Sequence, residues 1–254
     1  MALNKKKTKG GIGETIRTLI YAVLIAVVIR SVAYEPFNIP SGSMRPTLLI
    51  GDYLFVSKFS YGYSRYSLPF SLPLFQGRVF DTPPKRGDVA VFKTPTDNAT
   101  DFIKRIIGLP GDRVQVRDGV VYLNGEPLQR VRVEDFLLEG RNGRVVRIPQ
   151  YVETLPSGRS YRTLDEGVRS ADNTRVFTVT EGHYFVMGDN RDNSADSRFA
   201  VPTGVGLVPA GNLVGRAEVL FFSTNGGARW WEVWRWPSAT RASRLFQSVR
   251  ASEE

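Results

Sequence analysis

Apolar and polar positions divide the chain into one apolar segment near the N-terminus and a long region of short alternating segments. Residues 19–29 are an unbroken apolar run, LIYAVLIAVVI, preceded by a lysine cluster and followed by Arg30. This run is shorter than the roughly 20 residues that a membrane-spanning helix needs, but a helical stretch can extend from about Gly13 to Ala33. The pattern therefore predicts one N-terminal transmembrane helix, with Arg17 and Arg30 near the two interfaces.

The same segment has a second interpretation, a cleaved secretory signal. A basic beginning, a short apolar stretch and the small-residue sequence Ser31-Val32-Ala33 are typical of such signals. In both interpretations the lysines stay in the cytoplasm under the positive-inside rule, and everything after residue 35 is exported. We favour the anchor, because the motif at residues 40–48 gains from being held at the membrane surface.

After Pro36 the chain consists of short alternating or apolar segments separated by Gly, Pro and Asp, a pattern typical of β-strands. Asp118-Gly119 predicts a hairpin turn before the apolar residues 120–123. No long stretch beyond the anchor has the 3.6-residue periodicity of a helix, so the predicted fold class is mainly β, with antiparallel sheets. The predicted strands are 53–56, 88–92, 102–107, 114–117, 120–123, 175–179, 184–187 and 214–222.

Two regions depart from this pattern. Residues 124–174 are richer in charge and predict an insertion or a second, smaller β region. Residues 229–254 mix four tryptophans with arginines, which suits a membrane interface or a tryptophan cluster packed on the core. We therefore divide the chain into a basic tail and anchor (1–34), an extracytoplasmic β domain (35–228, with 124–174 as the second region) and a Trp/Arg-rich tail (229–254).

The amino-acid composition excludes several kinds of catalytic and metal-binding site. The chain has no cysteine, which excludes disulfides, a thiolate nucleophile and cysteine metal sites. His183 is the only histidine, which excludes a multi-histidine metal site. The formal charge of +9 lies largely at the two ends, which favours contact with a lipid bilayer over binding to nucleic acid. We expect no metal, no cofactor and no nucleic-acid partner.

One segment supplies serine hydroxyls and a second segment supplies a lysine amine, and together they could form a catalytic pair. Residues 39–48, IPSGSMRPTL, hold two serines in a backbone stiffened by prolines, which suits a nucleophile and its oxyanion donors, although Ser/Pro/Gly loops are common. Residues 101–112, DFIKRIIGLPGD, place Lys104 and Arg105 on opposite faces of an apolar strand. Apolar surroundings lower the pKa of a lysine, so that its neutral amine can act as a general base near a serine. An edge-strand lysine that prevents aggregation is the alternative.

A third segment, residues 187–199 with the sequence MGDNRDNSADSRF, is dense in Asp, Asn, Ser and Arg. It lacks the sixth-position glycine and the terminal glutamate of an EF-hand, so we prefer an ion-paired scaffold to a metal site. His183 lies where a turn enters a strand, which indicates an ordinary surface histidine more than a member of a Ser-His-Asp triad.

Taken together, these segments in this order resemble type I signal peptidase, the leader peptidase family that uses a Ser–Lys dyad. The similarity covers most of residues 15–222, and several motifs in register are far more specific than one. The motifs are PSGSMRPTL at 40–48, RGDVAVF at 86–92, KRIIGLPGD at 104–112, GDNRDNSADSR at 188–198 and LVGRA at 213–217.

The resemblance implies a membrane-bound serine endopeptidase that removes signal peptides from exported preproteins after small residues at positions −3 and −1. By this similarity Ser43 is the nucleophile and Lys104 the general base, while the Ser41 hydroxyl and the Ser43 backbone N–H form the oxyanion hole. Ser194 orients the lysine amine. The surrounding scaffold comprises Arg105, Asp189, Arg191, Asp196 and Arg198. The apolar lining of the substrate cleft comprises Phe37, Ile39, Met44, Leu48, Phe102 and Ile103.

The resemblance also implies a mainly antiparallel β fold with a catalytic core and a second β-rich part. The expected location is the inner (cytoplasmic) membrane, with a single pass, a cytoplasmic N-terminus and an extracytoplasmic catalytic domain. The chain departs from the family in having one predicted anchor instead of two, in the Gly-rich residues 200–206 and in its Trp/Arg tail. Two alternatives are a self-cleaving Ser–Lys protease of the repressor type and a non-enzymatic, membrane-tethered β scaffold.

Overall fold

A computed structural model describes residues 12–68, 71, 77–140, 144–228 and 231–253 of the chain. Most of the predicted basic tail, at residues 1–11, lies outside the described residues, as do Arg229 and Trp230 at the start of the predicted C-terminal tail. The described part is mainly β, with antiparallel pairing throughout its sheets. This confirms the predicted fold class as far as the β structure is concerned.

The described residues contain two α-helices and 17 strands. The helices are α1 (Ile12–Val32) and the short α2 (Trp236–Ala239). The strands are β1 (Tyr34–Asn38), β2 (Asp52–Ser57), β3 (Tyr63–Ser64), β4 (Arg78–Val79), β5 (Val89–Lys93), β6 (Asp101–Gly108), β7 (Arg113–Arg117), β8 (Val120–Leu123), β9 (Glu126–Pro127), β10 (Gln129–Glu139), β11 (Val145–Thr154), β12 (Arg159–Leu164), β13 (Phe177–Thr178), β14 (His183–Met187), β15 (Val208–Pro209), β16 (Leu213–Ser223) and β17 (Ser252–Glu253).

Only Ala33 separates the N-terminal helix α1 from β1, so the helix leads directly into the β domain. Its apolar side chains are exposed, as in Leu19 (64%) and Leu24 (54%). Within the described ranges, no helix combines the length and the apolar character that crossing a membrane requires.

A seven-stranded antiparallel sheet forms the centre of the domain, in the order β1-β2-β16-β5-β6-β14-β15. Strands β5 and β14 are buried at four of their five positions, so both of their faces are covered, whereas burial alternates along the first part of β2. Strand β6, which carries Lys104, lies between β5 and β14, with Lys104 opposite Ala90 and Arg105 opposite Met187. Lys104 is therefore not an edge-strand lysine, and that alternative is wrong.

Two four-stranded sheets accompany the central sheet. One has the order β13-β7-β8-β9, and its β7–β8 hairpin turns at Asp118 and Gly119, both with positive φ, as the sequence predicts. The other has the order β10-β11-β12-β17 and contains most of the region predicted as a second β part. Its last strand comes from the C-terminal end of the chain, where Ser252 pairs with Ser160.

Candidate active site

The segment between β1 and β2, residues 39–51, is called the nucleophile loop below because it carries Ser43. Two backbone hydrogen bonds close its base: Ile39 N–H donates to Asp52 O at 2.8 Å, and Gly51 N–H donates to Ile39 O at 3.0 Å. A side chain at Gly51 would place its Cβ 2.1 Å from the carbonyl oxygen of Thr224, and its φ is +89°, so only glycine fits there. The loop is therefore fixed at both ends against the central sheet.

Met44 and Leu48 anchor the loop from within. Both are fully buried in the apolar cluster beneath the loop, and Leu48 N–H donates to Met44 O at 2.8 Å. The resemblance places these two side chains in the lining of the substrate cleft. The structure instead places them in the core, because this turn directs both side chains inward and away from the open groove.

Ser43 and Lys104 meet at the inner side of the loop. The Nζ atom of Lys104 lies 2.9 Å from the Oγ atom of Ser43, and Lys104 is only 4% exposed. Burial lowers the pKa of Lys104 to about 8, although the charges of Asp196 and Asp189 act in the opposite direction. A neutral amine in contact with a serine hydroxyl can accept its proton, which is the arrangement needed for an activated nucleophile.

Ser41 lies beside Ser43 on the exposed side of the loop. Its Oγ atom is 3.4 Å from the Oγ atom of Ser43. A hydroxyl at this position is available to donate a hydrogen bond to an oxygen that forms next to Ser43.

Arg105 and Asp189 form a fully buried ion pair behind the nucleophile loop. The guanidinium donates to both carboxylate oxygens, at 2.8 and 2.6 Å, and to Gly87 O at 2.8 Å. Thr47 of the loop donates its hydroxyl to Asp189 at 2.5 Å. The pair therefore connects β6 and the segment that follows β14 to the nucleophile loop.

Asp196 and Arg198 form the second buried ion pair. Two guanidinium nitrogens of Arg198 donate to the carboxylate of Asp196, at 2.9 and 3.0 Å, and Gly188 N–H donates to it at 3.0 Å. Burial is the largest single influence and by itself would raise the pKa of Asp196, but the charge and hydrogen bonds of Arg198, together with hydrogen bonds from Gly188 and Ser194, lower it. Arg198 also donates to Arg191 O, and Arg191 pairs with the buried Glu153 of β11. The predicted scaffold residues thus form two buried ionic groups, Arg105 with Asp189, and Asp196 with Arg198, Arg191 and Glu153; no local motif indicates the part played by Glu153.

Ser194 does not make the contact that the resemblance implies. Its hydroxyl is buried beside the Asp196 carboxylate, whose pKa it helps to lower, while the second contact of Lys104 Nζ is Ile103 O at 3.1 Å. Ser194 is nevertheless close to the nucleophile loop, because a Cβ at Gly188 would lie 2.3 Å from Ser194 Oγ and 2.5 Å from Ser43 O. The missing side chain of Gly188 lets these two segments approach each other.

A groove of about 400 Å³ opens onto the dyad. Four of the six predicted cleft residues line it, together with Ser41, Ser43, Val91 and Lys104; these four are Phe37, Ile39, Phe102 and Ile103. An apolar groove of this size, with a nucleophile at one side, can hold small apolar side chains of an extended peptide.

No group of three or more His, Asp and Glu residues in the described part of the chain is arranged to hold a metal ion. His183 begins β14, and its Nδ1 atom contacts Thr180 Oγ1 at 3.1 Å and Glu181 O at 3.0 Å. These contacts lie in its own turn, so His183 does not pair with a serine of the site.

The chain is similar to known proteins over its whole length. The family described as "Signal peptidase, peptidase S26" matches residues 12–222. Signal peptidase I of Rickettsia typhi (strain ATCC VR-144 / Wilmington) is 39% identical over 274 residues, covering 100% of each chain. Signal peptidase I of Rickettsia prowazekii (strain Madrid E) is 39% identical over 272 residues, covering 99% of this chain and 98% of that protein. A crystal structure of a signal peptidase I from Enterococcus faecalis V583 is 29% identical, with a TM-score of 0.32, and covers 53% of this chain and 97% of that one.

Proposed function

The chain belongs to the signal peptidase family, peptidase S26, and from that premise we propose that it cleaves signal peptides from exported preproteins with a Ser43–Lys104 dyad. It is an enzyme, a serine peptidase that hydrolyses peptide bonds. The observation that carries the dyad is the 2.9 Å contact between Lys104 Nζ and Ser43 Oγ in a buried site.

In the first half of the reaction the neutral amine of Lys104 takes the proton of Ser43 Oγ as this oxygen bonds to the scissile carbonyl carbon. The carbonyl electron pair moves onto its oxygen, and the Ser41 hydroxyl and the Ser43 backbone N–H donate to the resulting oxyanion. The Lys104 ammonium then gives its proton to the leaving amine as the C–N bond breaks. The mature protein departs, and the signal peptide remains as an ester on Ser43.

In the second half a water molecule attacks the ester carbon, and Lys104 accepts a proton from it. The Ser43 oxygen leaves and recovers that proton, which releases the signal peptide with a free carboxyl group. One residue thus serves as base and acid in each half, so its pKa must be near the working pH.

Burial is the main reason why Lys104 reaches that range, and the ion pairs around it oppose burial only in part. Asp189 and Asp196 attract its proton and therefore favour the charged amine. Each carboxylate is itself paired with a buried arginine, Arg105 or Arg198, which limits this attraction. Burial then prevails and lowers the pKa of Lys104 to about 8.

The groove beside the dyad supports a substrate with small side chains at −3 and −1. Phe37, Ile39, Phe102 and Ile103 limit its volume to about 400 Å³. These apolar walls beside the dyad favour small apolar side chains over charged or strongly polar ones next to the scissile bond. Exported preproteins with small residues before the cleavage site are the substrates that fit this surface.

We place the protein in the inner (cytoplasmic) membrane, attached through α1, with its basic N-terminus in the cytoplasm and its β domain on the extracytoplasmic side. The support is the exposed apolar surface of α1, together with the lysines before it in the sequence. Sodium carbonate extraction of cell membranes tests this placement. The full chain should remain in the pellet and a chain lacking residues 1–33 should not; recovery of the full chain in the supernatant would contradict it.

The dyad is tested with the detergent-solubilised protein and a preprotein that has an Ala-x-Ala cleavage site. We expect cleavage by the parent and no cleavage by folded Ser43→Ala or Lys104→Ala. Lys93→Ala is the matched control, because Lys93 lies on the adjacent strand β5 and pairs with Asp101 at 2.9 Å. Cleavage by Lys104→Ala would remove lysine from the role of base, and an inactive, folded parent would favour a tethered scaffold without activity.

A further inference from the structure

Another buried carboxylate lies at the far end of the nucleophile loop, outside the dyad and the ion pairs around it. Asp52, the first residue of β2, is 0% exposed. It accepts a hydrogen bond from Leu49 N–H at 2.7 Å and one from the Ser223 hydroxyl at 2.6 Å. A buried carboxylate needs a cation as well as these donors. Here the cation comes from residues 231–253, called the C-terminal segment below.

Arg244 supplies that cation. Its Nε and one terminal nitrogen donate to the two oxygens of Asp52, at 3.1 and 2.5 Å, and the same terminal nitrogen donates to Thr47 O at 2.9 Å. Arg241 reinforces the contact by donating to Ile50 O at 3.1 Å. Residues near the C-terminus thus bind three positions at the end of the nucleophile loop: Thr47, Ile50 and Asp52.

Thr47 is held from two sides. Its backbone oxygen accepts from Arg244, while its side chain donates to Asp189 and accepts from Arg105 at 3.3 Å. Thr47 lies in the turn that the hydrogen bond from Leu48 N–H to Met44 O closes, and Ser43 directly precedes this turn. Without Arg244, this turn keeps only the side-chain contacts of Thr47 and the buried Met44 and Leu48, so a small shift of the turn can move the adjoining Ser43.

We propose that Arg244, through its pair with Asp52, is a positioning residue that keeps Ser43 Oγ within hydrogen-bond distance of Lys104 Nζ. This inference rests on the proposed function, and it makes the C-terminal segment a part of the catalytic unit. Arg244 acts on the position of the loop and touches neither substrate nor reacting atoms. Its loss should therefore lower kcat and leave KM almost unchanged, since the groove residues keep their places.

The test compares Arg244→Gln with Arg244→Lys and Arg250→Gln in the detergent-solubilised full chain, each assayed 20 °C below its own melting temperature. Arg250 is the matched control, because it also comes from the C-terminal segment but pairs with Glu218, at 2.7 Å. We expect kcat to fall roughly 10- to 100-fold in Arg244→Gln, with KM within about two-fold of the parent, and to recover in part in Arg244→Lys. Arg250→Gln should match the parent.

Hydrogen–deuterium exchange of the amides of residues 48–51 gives a readout that does not need activity. Exchange should increase in Arg244→Gln and not in Arg250→Gln; unchanged exchange or an unchanged kcat would overturn the inference. An equal loss of kcat in Arg250→Gln would also overturn it. If Arg244→Gln does not fold, Asp52→Asn replaces it, and a parental kcat there is the contradicting result. An inactive parent with the expected exchange pattern would instead refute the proposed function alone.

Discussion

Lys104 and Arg105 are consecutive residues of β6 that contact opposite sides of the site. Lys104 Nζ lies 2.9 Å from Ser43 Oγ, while Arg105 forms a bidentate ion pair with Asp189. The pleat of the strand enforces this division, since successive side chains point to opposite faces. A shift of the register by one residue would exchange them and leave an arginine, which stays charged, next to the nucleophile.

We predict that the activity of the parent rises with pH. The lowered pKa of Lys104, about 8, means that only about a tenth of the molecules hold a neutral amine at pH 7. The ratio kcat/KM should increase close to ten-fold per pH unit below pH 7 and reach a plateau above pH 9. Steady-state cleavage of a preprotein between pH 5.5 and 10 measures this profile. A profile that stays flat from pH 6 to 9 would contradict a lysine base.

The sequence predicts those strands in which apolar residues alternate with polar ones and the apolar residues face the core. The predicted strand 53–56 lies within β2, and 120–123 coincides with β8. The long strands β10 and β11 were expected only as part of a β region, because apolar residues such as Val131 and Leu137 face solvent there. Burial alternates over only part of β11, from Ile148 to Tyr151, so the strand lacks the full alternation by which strands are recognised.

The candidate site was predicted where a motif is local in the sequence, and it was missed where contacts join distant segments. Ser43 and Lys104 lie in two such motifs, and the structure brings them together. Arg244 and Asp52 are 192 positions apart, and nothing in either local sequence indicates their pairing. Met44 was placed in the cleft because the motif does not show which way a turn directs each side chain.

We predict that Lys104→Met is more stable than the parent at neutral pH. Because the folded protein lowers the pKa of Lys104 from 10.5 to about 8, the unfolded chain binds one more proton between these values. The stability of the parent therefore rises with pH across that window, and at pH 7 the buried amine costs about 3 kcal/mol. Urea unfolding in detergent at pH 7 and pH 10 should show a gain for Lys104→Met that shrinks at the higher pH.

Lys58→Met is the control for that measurement, because Lys58 is also buried but its amine is paired. It lies 3.0 Å from Glu35 and donates to Ser67 O at 2.6 Å. Removing it leaves Ser67 O without this donor and leaves Glu35 with only the contact from Arg30, so the free energy of unfolding should fall at pH 7. A loss of stability in Lys104→Met at pH 7 would contradict the lowered pKa.

We predict strong coupling between Arg105 and Asp189. Removing one partner leaves a buried charge without compensation, so Arg105→Met and Asp189→Leu should each lower the free energy of unfolding by about 3–5 kcal/mol. The double variant should lose much less than the sum, since it leaves neither charge behind. Urea unfolding of the parent, both single variants and the double variant measures the coupling. Additive losses would show that the pair does not act as a unit.

We predict that Ile103→Ala broadens the cleavage specificity. Ile103 lines the groove of about 400 Å³ and packs against the apolar cluster beneath the nucleophile loop, so its truncation enlarges the groove without exposing the dyad. A preprotein with valine at −1 should gain at least roughly 10-fold in kcat/KM relative to one with alanine, because a few methylene groups decide such discrimination. The control is Leu137→Ala, which removes the same number of carbon atoms from a side chain that is 60% exposed. Competition between the two preproteins, followed by mass spectrometry, measures the ratio directly. If the ratio in Ile103→Ala equals that of the parent and of Leu137→Ala, the groove does not select the residue at −1 through Ile103.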